Sequence, residues 1–199
     1  MFLEDWDKIS VGKSLAEADL YYAGTDKADI KIKDLLLHQA GLQSHLPFWR
    51  NAQSSPQSDD FLFKVPRRTR RRHRGQKLMN VAWNDSIKHW IAKSRLIKRD
   101  EKSERYPYFY SDLGFMLLKD LTETKLNQEI DVFLRQNLLD PLGMTNTHYH
   151  PLCQFPIDNI APTEDDDYFR NTLVWGTVHD QNAAISGGVA GHAGGFGRG

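Results

Sequence analysis

The fold is best predicted from one segment, which reads Ile30-Lys31-Ile32-Lys33-Asp34-Leu35-Leu36-Leu37-His38-Gln39-Ala40-Gly41-Leu42. Alternation over residues 30–32 predicts a short extended entry, and residues 35–38 predict a helix. Asp34 is suited to cap that helix and Gly41 to stop it. We therefore expect a compact unit that is buried through Leu35, Leu36 and Leu42.

Helical periodicity returns at residues 85–95 and is strongest at residues 112–138. The first segment places Ile87, Trp90 and Ile91 on one face. In the second, apolar residues at Leu113, Met116, Leu117 and Leu121 predict a largely buried helix. Thr124-Lys125 is expected to break it, and Asn127 to cap a further helix with an apolar stripe at Ile130, Phe133, Leu134 and Leu138.

Composition excludes several classes of protein. The 199 residues include 26 basic and 26 acidic side chains, and 40% of them are hydrophobic, which is enough for a packed core. A net charge of zero argues against a dedicated nucleic-acid partner. No apolar run is long enough for a membrane span, and a single cysteine excludes an intrachain disulfide framework.

Residues 43–80 differ from the rest of the chain. They contain a polar segment and the block Arg67–Arg74, which has six arginines in eight residues. Like charges repel one another, so the block is expected to be a solvated loop. Contact with an anion and an aberrant stretch of reading frame are the open alternatives.

Tyr110-Ser111-Asp112 is the most informative short motif. It lies at a junction between a loop and a helix, where the helix N-terminus provides a positive potential that favours a phenolate. With a lysine nearby, such a tyrosine can shuttle a proton. The alternative is a core tyrosine at a helix start, with Asp112 as a capping residue.

Three elements in order resemble one family. Residues 30–42 resemble I-x-I-R-D-L-L-x-H-x-S-G-L, residues 110–115 resemble Y-S-N-x-G-Y, and residues 133–147 resemble F-L-x-x-x-I-F-x-P-L-G-M-x-x-T. The family is that of class C β-lactamases and penicillin-binding-protein-like serine esterases. Residues 160–164, 178–183 and 187–194 resemble a bacterial branch that is often joined to a glycoside hydrolase.

The resemblance implies an α+β fold, in which this chain supplies mostly the helical region of a β-lactamase/transpeptidase-like fold and the antiparallel sheet is incomplete. We expect one partial domain over residues 1–199, with a variable region at 43–80 and a glycine-rich, truncated end at 187–199. The protein is thus interpreted as the middle of an enzyme, prone to self-association and poorly stable alone.

The family's chemistry is acyl transfer from an ester or amide, and no cofactor or metal is expected. The resemblance implies that Tyr110 acts as base and proton relay and that Asp112 orients a lysine or the substrate. It also implies an S-x-x-K nucleophile pair and a third motif, K-T-G or H-x-G. Ser10 and Lys13 match S-x-x-K, and His192 and Gly194 match H-x-G. Their contexts resemble other parts of the family pattern, so we expect both functional motifs to be missing and the chain alone to be inactive.

Asp112 stands where the family commonly has asparagine. An ionised carboxylate only accepts hydrogen bonds, which suits an amide or ammonium group on the substrate and speaks against ordinary β-lactamase activity. The expected partner is a small-molecule or peptide ester or amide, without nucleic acid, and a glycoside hydrolase domain is a candidate neighbour. The family is usually exported, but the acidic N-terminus does not resemble a signal peptide, so the compartment stays open.

Other candidates are weaker. His148-Tyr149-His150 has metal-like spacing without a third ligand, and we expect a surface or turn role. Residues 164–167 and His179-Asp180 are candidates for a cation site, although a solvated loop is the simpler interpretation. Cys153 is expected to be a packed small residue. Polyanion binding by Arg67–Arg74 and an accessory role beside a glycosidase are the alternative functions.

Overall fold

The computed structural model describes residues 12–54, 83–103 and 105–197, with the backbone of two short strands between them. The helices are α1 Leu15–Ala18, α2 Ile32–Leu36, α3 Phe48–Gln53, α4 Trp83–Lys93, α5 Asp112–Leu126, α6 Ile130–Leu134 and α7 Gln181–Ile185. The strands are β1 Leu62–Lys64, β2 Lys77–Met79, β3 Pro162–Asp166 and β4 Thr172–Trp175. Both sheets of this described part are two-stranded and antiparallel, β1 with β2 and β3 with β4, so the predicted α+β class is confirmed.

The chain divides into two compact units. One consists of Met1–Leu46 and Ile87–Lys125, and the other of Pro47–Ser86 and Leu126–Gly199. Within the described residues, no helix has the length and apolar character that crossing a membrane requires. The block Arg67–Arg74 lies outside the described residues, so its predicted solvation stays a prediction.

The first unit begins with a capped turn of helix. The Ser14 hydroxyl accepts the Glu17 N–H at 3.3 Å, and the Glu17 carboxylate accepts the Ser14 N–H at 2.6 Å, which forms a capping box ahead of α1. Ser14 also pairs with Lys31 in an isolated β-bridge, so residue 31 is extended as the alternation predicts. The helix α2 follows at once.

The core of this unit forms where α2 and α5 meet. A Cβ added to Gly114 in α5 would lie 3.5 Å from the Leu35 carbonyl oxygen, so the two helices approach closely there. All four apolar positions predicted for α5 are buried, which confirms its core-facing stripe. The largest fully buried apolar side chains of the unit are Leu15, Tyr22, Leu35, Leu42, Ile91, Leu113 and Leu117.

A buried lysine ties the loop after α1 to the end of α4. The Lys27 side chain has no exposed surface, and its ammonium donates to the carbonyls of Ala92 and Ser94 and to the Asp26 carboxylate. A buried ammonium is costly unless its donors are satisfied, and here all three find acceptors. The Lys27 ammonium also places a positive charge at the C-terminal end of α4, where the helix dipole favours a cation.

The second unit is organised around a hairpin and α7. Strands β3 and β4 pair with Glu164 opposite Val174 and Asp166 opposite Thr172, and a bulge separates Pro162 from Glu164. The Asp180 carboxylate caps α7 by accepting the Ala183 N–H at 2.7 Å. The apolar cluster at this helix contains Val178, Ala183, Ala184 and Ala190, with Phe169 and Ala193 packed on it.

Several predicted local features are wrong. Helix α2 begins at Ile32 behind Lys31, so Asp34 lies inside the helix rather than at its cap, and the helix ends before Gly41 is reached. Helix α5 continues through Thr124-Lys125 to Leu126 because nothing in that pair forbids helical backbone. Asn127 is left-handed, with φ of 50°, and separates the helices instead of capping the second one.

The stripe predicted after Asn127 is also shifted. Helix α6 is followed by a π-helical segment, Arg135–Leu139, which inserts extra backbone per turn. As a result Leu139 is buried and Leu138 is exposed. The predicted helix at residues 85–95 is confirmed as α4, with Ile87 and Ile91 buried.

Candidate active site

Tyr110 is exposed at the start of the longest described helix. Its side chain is 58% exposed, and only Ser111 separates it from α5, which begins at Asp112. The partial positive charge of a helix N-terminus acts within about one turn, and Tyr110 stands two residues before the start of α5. The alternative of a buried core tyrosine is wrong.

The backbone on both sides of Tyr110 is held by His38. The Phe109 N–H donates to the His38 carbonyl oxygen at 2.8 Å, and the Ser111 N–H donates to His38 Nδ1 at 3.1 Å. The His38 ring also packs on the Tyr110 ring, with centroids 4.6 Å apart and planes tilted by 39°. One residue therefore contacts the tyrosine and both of its neighbours.

Ser111 and Asp112 continue this attachment along the chain. The buried Ser111 hydroxyl donates to the Gln43 carbonyl at 2.6 Å, and the Asp112 N–H donates to the Ser44 carbonyl at 2.9 Å. The Asp112 carboxylate is near His45, with Oδ2 3.7 Å from Nδ1. Asp112 is thus fixed through its backbone, and its carboxylate lies beside the His45 ring.

Of the Ser10–Lys13 pair, the structure describes only Lys13. Ser10 lies outside the described residues, whereas Lys13 is exposed in a bend immediately before Ser14 caps α1. An S-x-x-K pair works because both side chains share one face of a helix. Lys13 lies in a bend rather than in a helix, so it does not have this geometry.

His192 and Gly194 occupy a tight turn in the second unit. His192 Nε2 lies 3.0 Å from Asp180 Oδ1, and the imidazole side chain is only 4% exposed. Gly194 has φ of 112°, and an added Cβ would lie 2.4 Å from the Gly188 carbonyl oxygen. Both residues thus fit the turn beside α7, and the conformation at Gly194 is one that glycine tolerates.

Comparison with known proteins identifies the family. A family model described as Beta-lactamase matches residues 11–198. The chain belongs to the beta-lactamase family. This confirms the resemblance that the three sequence elements indicated, and it covers both units rather than the elements alone.

Two curated proteins are similar in sequence to this beta-lactamase-family chain. A candidate D-alanyl-D-alanine carboxypeptidase of Escherichia coli (strain K12) is 37% identical over 101 residues, which are 45% of this chain and 23% of that protein. The N-acetylmuramyl-L-alanine amidase of Bacillus subtilis (strain 168) is 29% identical over 192 residues, 87% of this chain and 36% of that protein. The chain therefore spans about a quarter to a third of these relatives.

Solved structures share the fold. FmtA from Staphylococcus aureus matches with a TM-score of 0.56 at 16% identity, over 98% of this chain and 43% of that chain. The D-amino acid amidase from Ochrobactrum anthropi SV3 matches with a TM-score of 0.51 at 14% identity, over 93% and 47%. At such identities the likeness concerns the backbone arrangement alone.

Two weaker site predictions need correction. His148 is buried rather than on the surface, where its Nε2 contacts the Thr145 carbonyl at 2.6 Å and its Nδ1 contacts Arg135. Cys153 is exposed rather than packed. No group of three metal-ligating side chains occurs in the part of the chain that the structure describes. His150 is half-buried, and burial lowers its pKa although the charges of Asp131 and Glu129 act in the opposite direction.

The acidic run at residues 164–167 is not a solvated loop. Its first three residues belong to β3, and Asp166 is fully buried, with its carboxylate 2.7 Å from Arg170 Nε. The Arg170 guanidinium also donates to the carbonyls of Val178 and His179, both at 2.6 Å. The sequence does contain a hint of this ion pair, because Arg170 follows Asp166 by four residues. The spacing alone does not predict that the pair is buried, which depends on how the turn between β3 and β4 folds.

The second unit contains a cavity of about 910 Å³. Phe155, Ile160, Val178 and Phe196 give it apolar walls, and His179 and Asp180 add polar groups. His179 is largely exposed, with Nδ1 3.7 Å from Glu164 Oε2. Sequence reasoning did not predict this cavity, because its walls come from separate segments.

Proposed function

We propose that this chain supplies the tyrosine side of the active site of a serine hydrolase that acts by acyl transfer on an amide or ester. The observation that carries the proposal is the exposed Tyr110, held from both neighbours at the N-terminus of α5. A general base must be accessible and rigidly placed, and Tyr110 meets both conditions.

In the proposed step, a serine hydroxyl oxygen attacks the carbonyl carbon of the substrate. The Tyr110 phenolate takes the hydroxyl proton as the new carbon–oxygen bond forms. The phenol then gives this proton to the leaving nitrogen or oxygen as the bond to the carbonyl carbon breaks. Water later repeats the sequence on the acyl-enzyme, so that the serine is released and Tyr110 ends in its starting form.

Asp112 is proposed to orient a lysine ammonium or a donor group of the substrate. Its backbone is fixed to Ser44 and its carboxylate accepts hydrogen bonds from any nearby N–H group. An amide-bearing peptide supplies such a group. The relatives are named as a D-alanyl-D-alanine carboxypeptidase and an N-acetylmuramyl-L-alanine amidase. We therefore propose that the substrate is a peptide amide rather than a β-lactam.

The nucleophile is the open part of this proposal. Ser10-Lys13 is the only S-x-x-K match in the sequence, and the bend at Lys13 does not suit it. We therefore propose that the 199 residues alone show negligible turnover. Sequencing the coding region on both sides is expected to reveal S-x-x-K before residue 1 and K-T-G or H-x-G after residue 199.

The activity test compares variants of the polypeptide that this reading frame encodes. With a D-alanyl-D-alanine peptide and a chromogenic ester, Tyr110→Phe is expected to lower kcat by about 10²- to 10⁴-fold without loss of stability. Tyr21→Phe is the matched control, since Tyr21 is also an exposed tyrosine of the first unit and its hydroxyl contacts only His89 among the described residues. Equal turnover in both variants would overturn the proposal.

A fluorophosphonate probe tests the nucleophile directly. We expect the 199-residue chain to remain unlabelled, and the polypeptide with the flanking motifs to be labelled at its S-x-x-K serine. Labelling of this chain that disappears in Ser10→Ala would restore Ser10 and Lys13 as the catalytic pair. If the reading frame contains no further S-x-x-K and no probe reacts, the hydrolase proposal fails.

Two other functions stay predictions. Attachment to a glycoside hydrolase is decided by the flanking coding sequence. Polyanion binding depends on Arg67–Arg74, which lies outside the described residues. Salt-dependent binding to a generic duplex, lost in Arg70-Arg71-Arg72→Ala, would support the second function.

A further inference from the structure

We propose that His38 is the positioning residue of Tyr110, and that it acts as a neutral imidazole whose proton is on Nε2. This inference rests on the proposed function only in giving Tyr110 a chemical role. The contacts themselves belong to the first unit and join residues that are 73 apart in sequence. His38 does not need to touch the substrate for this role.

The hydrogen bond from Ser111 determines the tautomer. A backbone N–H can only donate, so His38 Nδ1, at 3.1 Å from the Ser111 nitrogen, must present a lone pair. In a neutral imidazole the proton is then on Nε2. A ring protonated on both nitrogens, or on Nδ1 alone, would place two hydrogens against each other and release Ser111.

The backbone of His38 makes the double attachment possible. Its φ of 54° is left-handed, a conformation in which histidine is enriched relative to most non-glycine residues. Helix α2 ends at Leu36, and this turn brings both the carbonyl and the ring of His38 to residues 109–111. A continued helix would have used the same carbonyl within α2.

The ring is also fixed by its aromatic neighbours. Its centroid lies 4.6 Å from that of Tyr110, 5.2 Å from that of Phe115 and 5.9 Å from that of Tyr108. Phe115 belongs to α5, so the ring connects the tyrosine to the helix whose N-terminus it faces. Displacement of a catalytic group by about 1 Å can cost about 100-fold in rate, which is the scale on which this support matters.

Two substitutions of His38 distinguish the loss of the hydrogen-bond acceptor for Ser111 from the loss of the imidazole ring. In His38→Asn the amide oxygen can replace Nδ1, and asparagine also tolerates a left-handed φ. In His38→Gln the side chain places its amide near the Nε2 position and loses the acceptor for Ser111. We expect His38→Asn to keep the Ser111 amide protected from hydrogen exchange, and His38→Gln to lose about tenfold of that protection, the equivalent of one net hydrogen bond.

The test reads three signals on the folded 199-residue chain. The ring ¹⁵N shifts of His38 are expected to show the Nε2–H tautomer, and the Ser111 amide is expected to follow the exchange pattern above. A 3-fluorotyrosine label at position 110 is expected to keep its ¹⁹F shift in His38→Asn and to change it in His38→Gln. An Nδ1–H tautomer, or identical behaviour of the two variants, overturns the proposal.

The ring ¹⁵N measurement uses unsubstituted protein, so it decides the tautomer even if a variant fails to fold. None of these signals depends on turnover, so they separate this inference from the proposed function. In the active polypeptide, His38→Gln is expected to lower kcat with little change in KM, and His38→Asn to restore part of the loss. If Tyr110→Phe leaves turnover unchanged while the Ser111 amide still responds to His38, the function fails and the positioning contact stands.

Discussion

Gly41 lies directly against the ring of Tyr106. A Cβ added to Gly41 would come within 2.5 Å of two ring carbons, and φ at Gly41 is 73°. Tyr106 begins the segment that leads to Tyr110, and Gly41 follows His38, which contacts that segment. The turn after His38 therefore approaches Tyr106 at a position that only glycine fits.

We expect Gly41→Ala to lower the free energy of unfolding by about 3 kcal/mol, because it adds a clash to an unfavourable φ. Gly24→Ala is the control: φ is 82° and nothing lies within 4 Å, so only the conformational cost of about 1–2 kcal/mol applies. Urea unfolding measures both variants. Equal losses would show that the Tyr106 ring moves aside without cost.

Arg170→Met is expected to lower the free energy of unfolding by about 3–5 kcal/mol, since it leaves the buried Asp166 carboxylate without its partner. Lys119→Met is the matched control, because Lys119 pairs with Glu123 at the same spacing of four residues on α5. Pairs at this spacing along a helix are worth about 0.2–0.5 kcal/mol. A loss below about 1 kcal/mol for Arg170→Met would mean that Asp166 is reached by water.

Stability is expected to fall in acid through Asp166. Burial alone would raise the pKa of this carboxyl, but hydrogen bonds from Arg170 and from the backbone N–H groups of Phe169 and Tyr168 outweigh it and lower the pKa. The contribution is therefore present above the unfolded-state pKa of about 4, and it is lost as pH falls through the lower folded-state pKa.

Asp166→Asn, which cannot titrate, is expected to flatten the decline of the unfolding free energy between about pH 5 and pH 2. The exposed neighbour Asp165 offers the control variant Asp165→Asn, which is expected to keep the decline of the unsubstituted chain. Denaturant unfolding at a series of pH values measures the slopes. Parallel curves for all three proteins would contradict the assignment.

Cys153 is expected to react with a thiol reagent in the folded protein, because the residue is exposed. The sequence contains one cysteine, so the stoichiometry is one per chain and Cys153→Ser is expected to give none. Colorimetric titration with and without denaturant measures this. Reaction only after unfolding would restore the packed position that the sequence suggested.

Self-association is expected through exposed apolar side chains of the first unit, which include Leu36, Leu37, Tyr108 and Phe109. Leu37→Ser is expected to reduce association in sedimentation experiments more than Leu173→Ser, an exposed leucine of the second unit. A chain that stays monomeric and melts sharply would contradict this prediction and the expectation of poor independent stability.

The helices were predictable to the extent that their apolar spacing reports a buried face. The stripe of α5 at Leu113, Met116, Leu117 and Leu121 is confirmed because a continuous helix keeps that spacing in register. The stripe after Asn127 is shifted because the π-helical turn at Arg135–Leu139 changes the register, and nothing in the local spacing announces such a turn.

Residue patterns along the chain were enough to predict the family, the α+β class and the position of Tyr110 before a helix, because these depend on local order. Three contacts could be found only in the folded chain: His38 accepts the Ser111 N–H, Asp166 is buried against Arg170, and Gly41 lies against Tyr106. These contacts depend on which backbone groups are left unpaired and on how much space remains after packing. Both are properties of the folded chain, because segments distant in sequence must meet before either is defined.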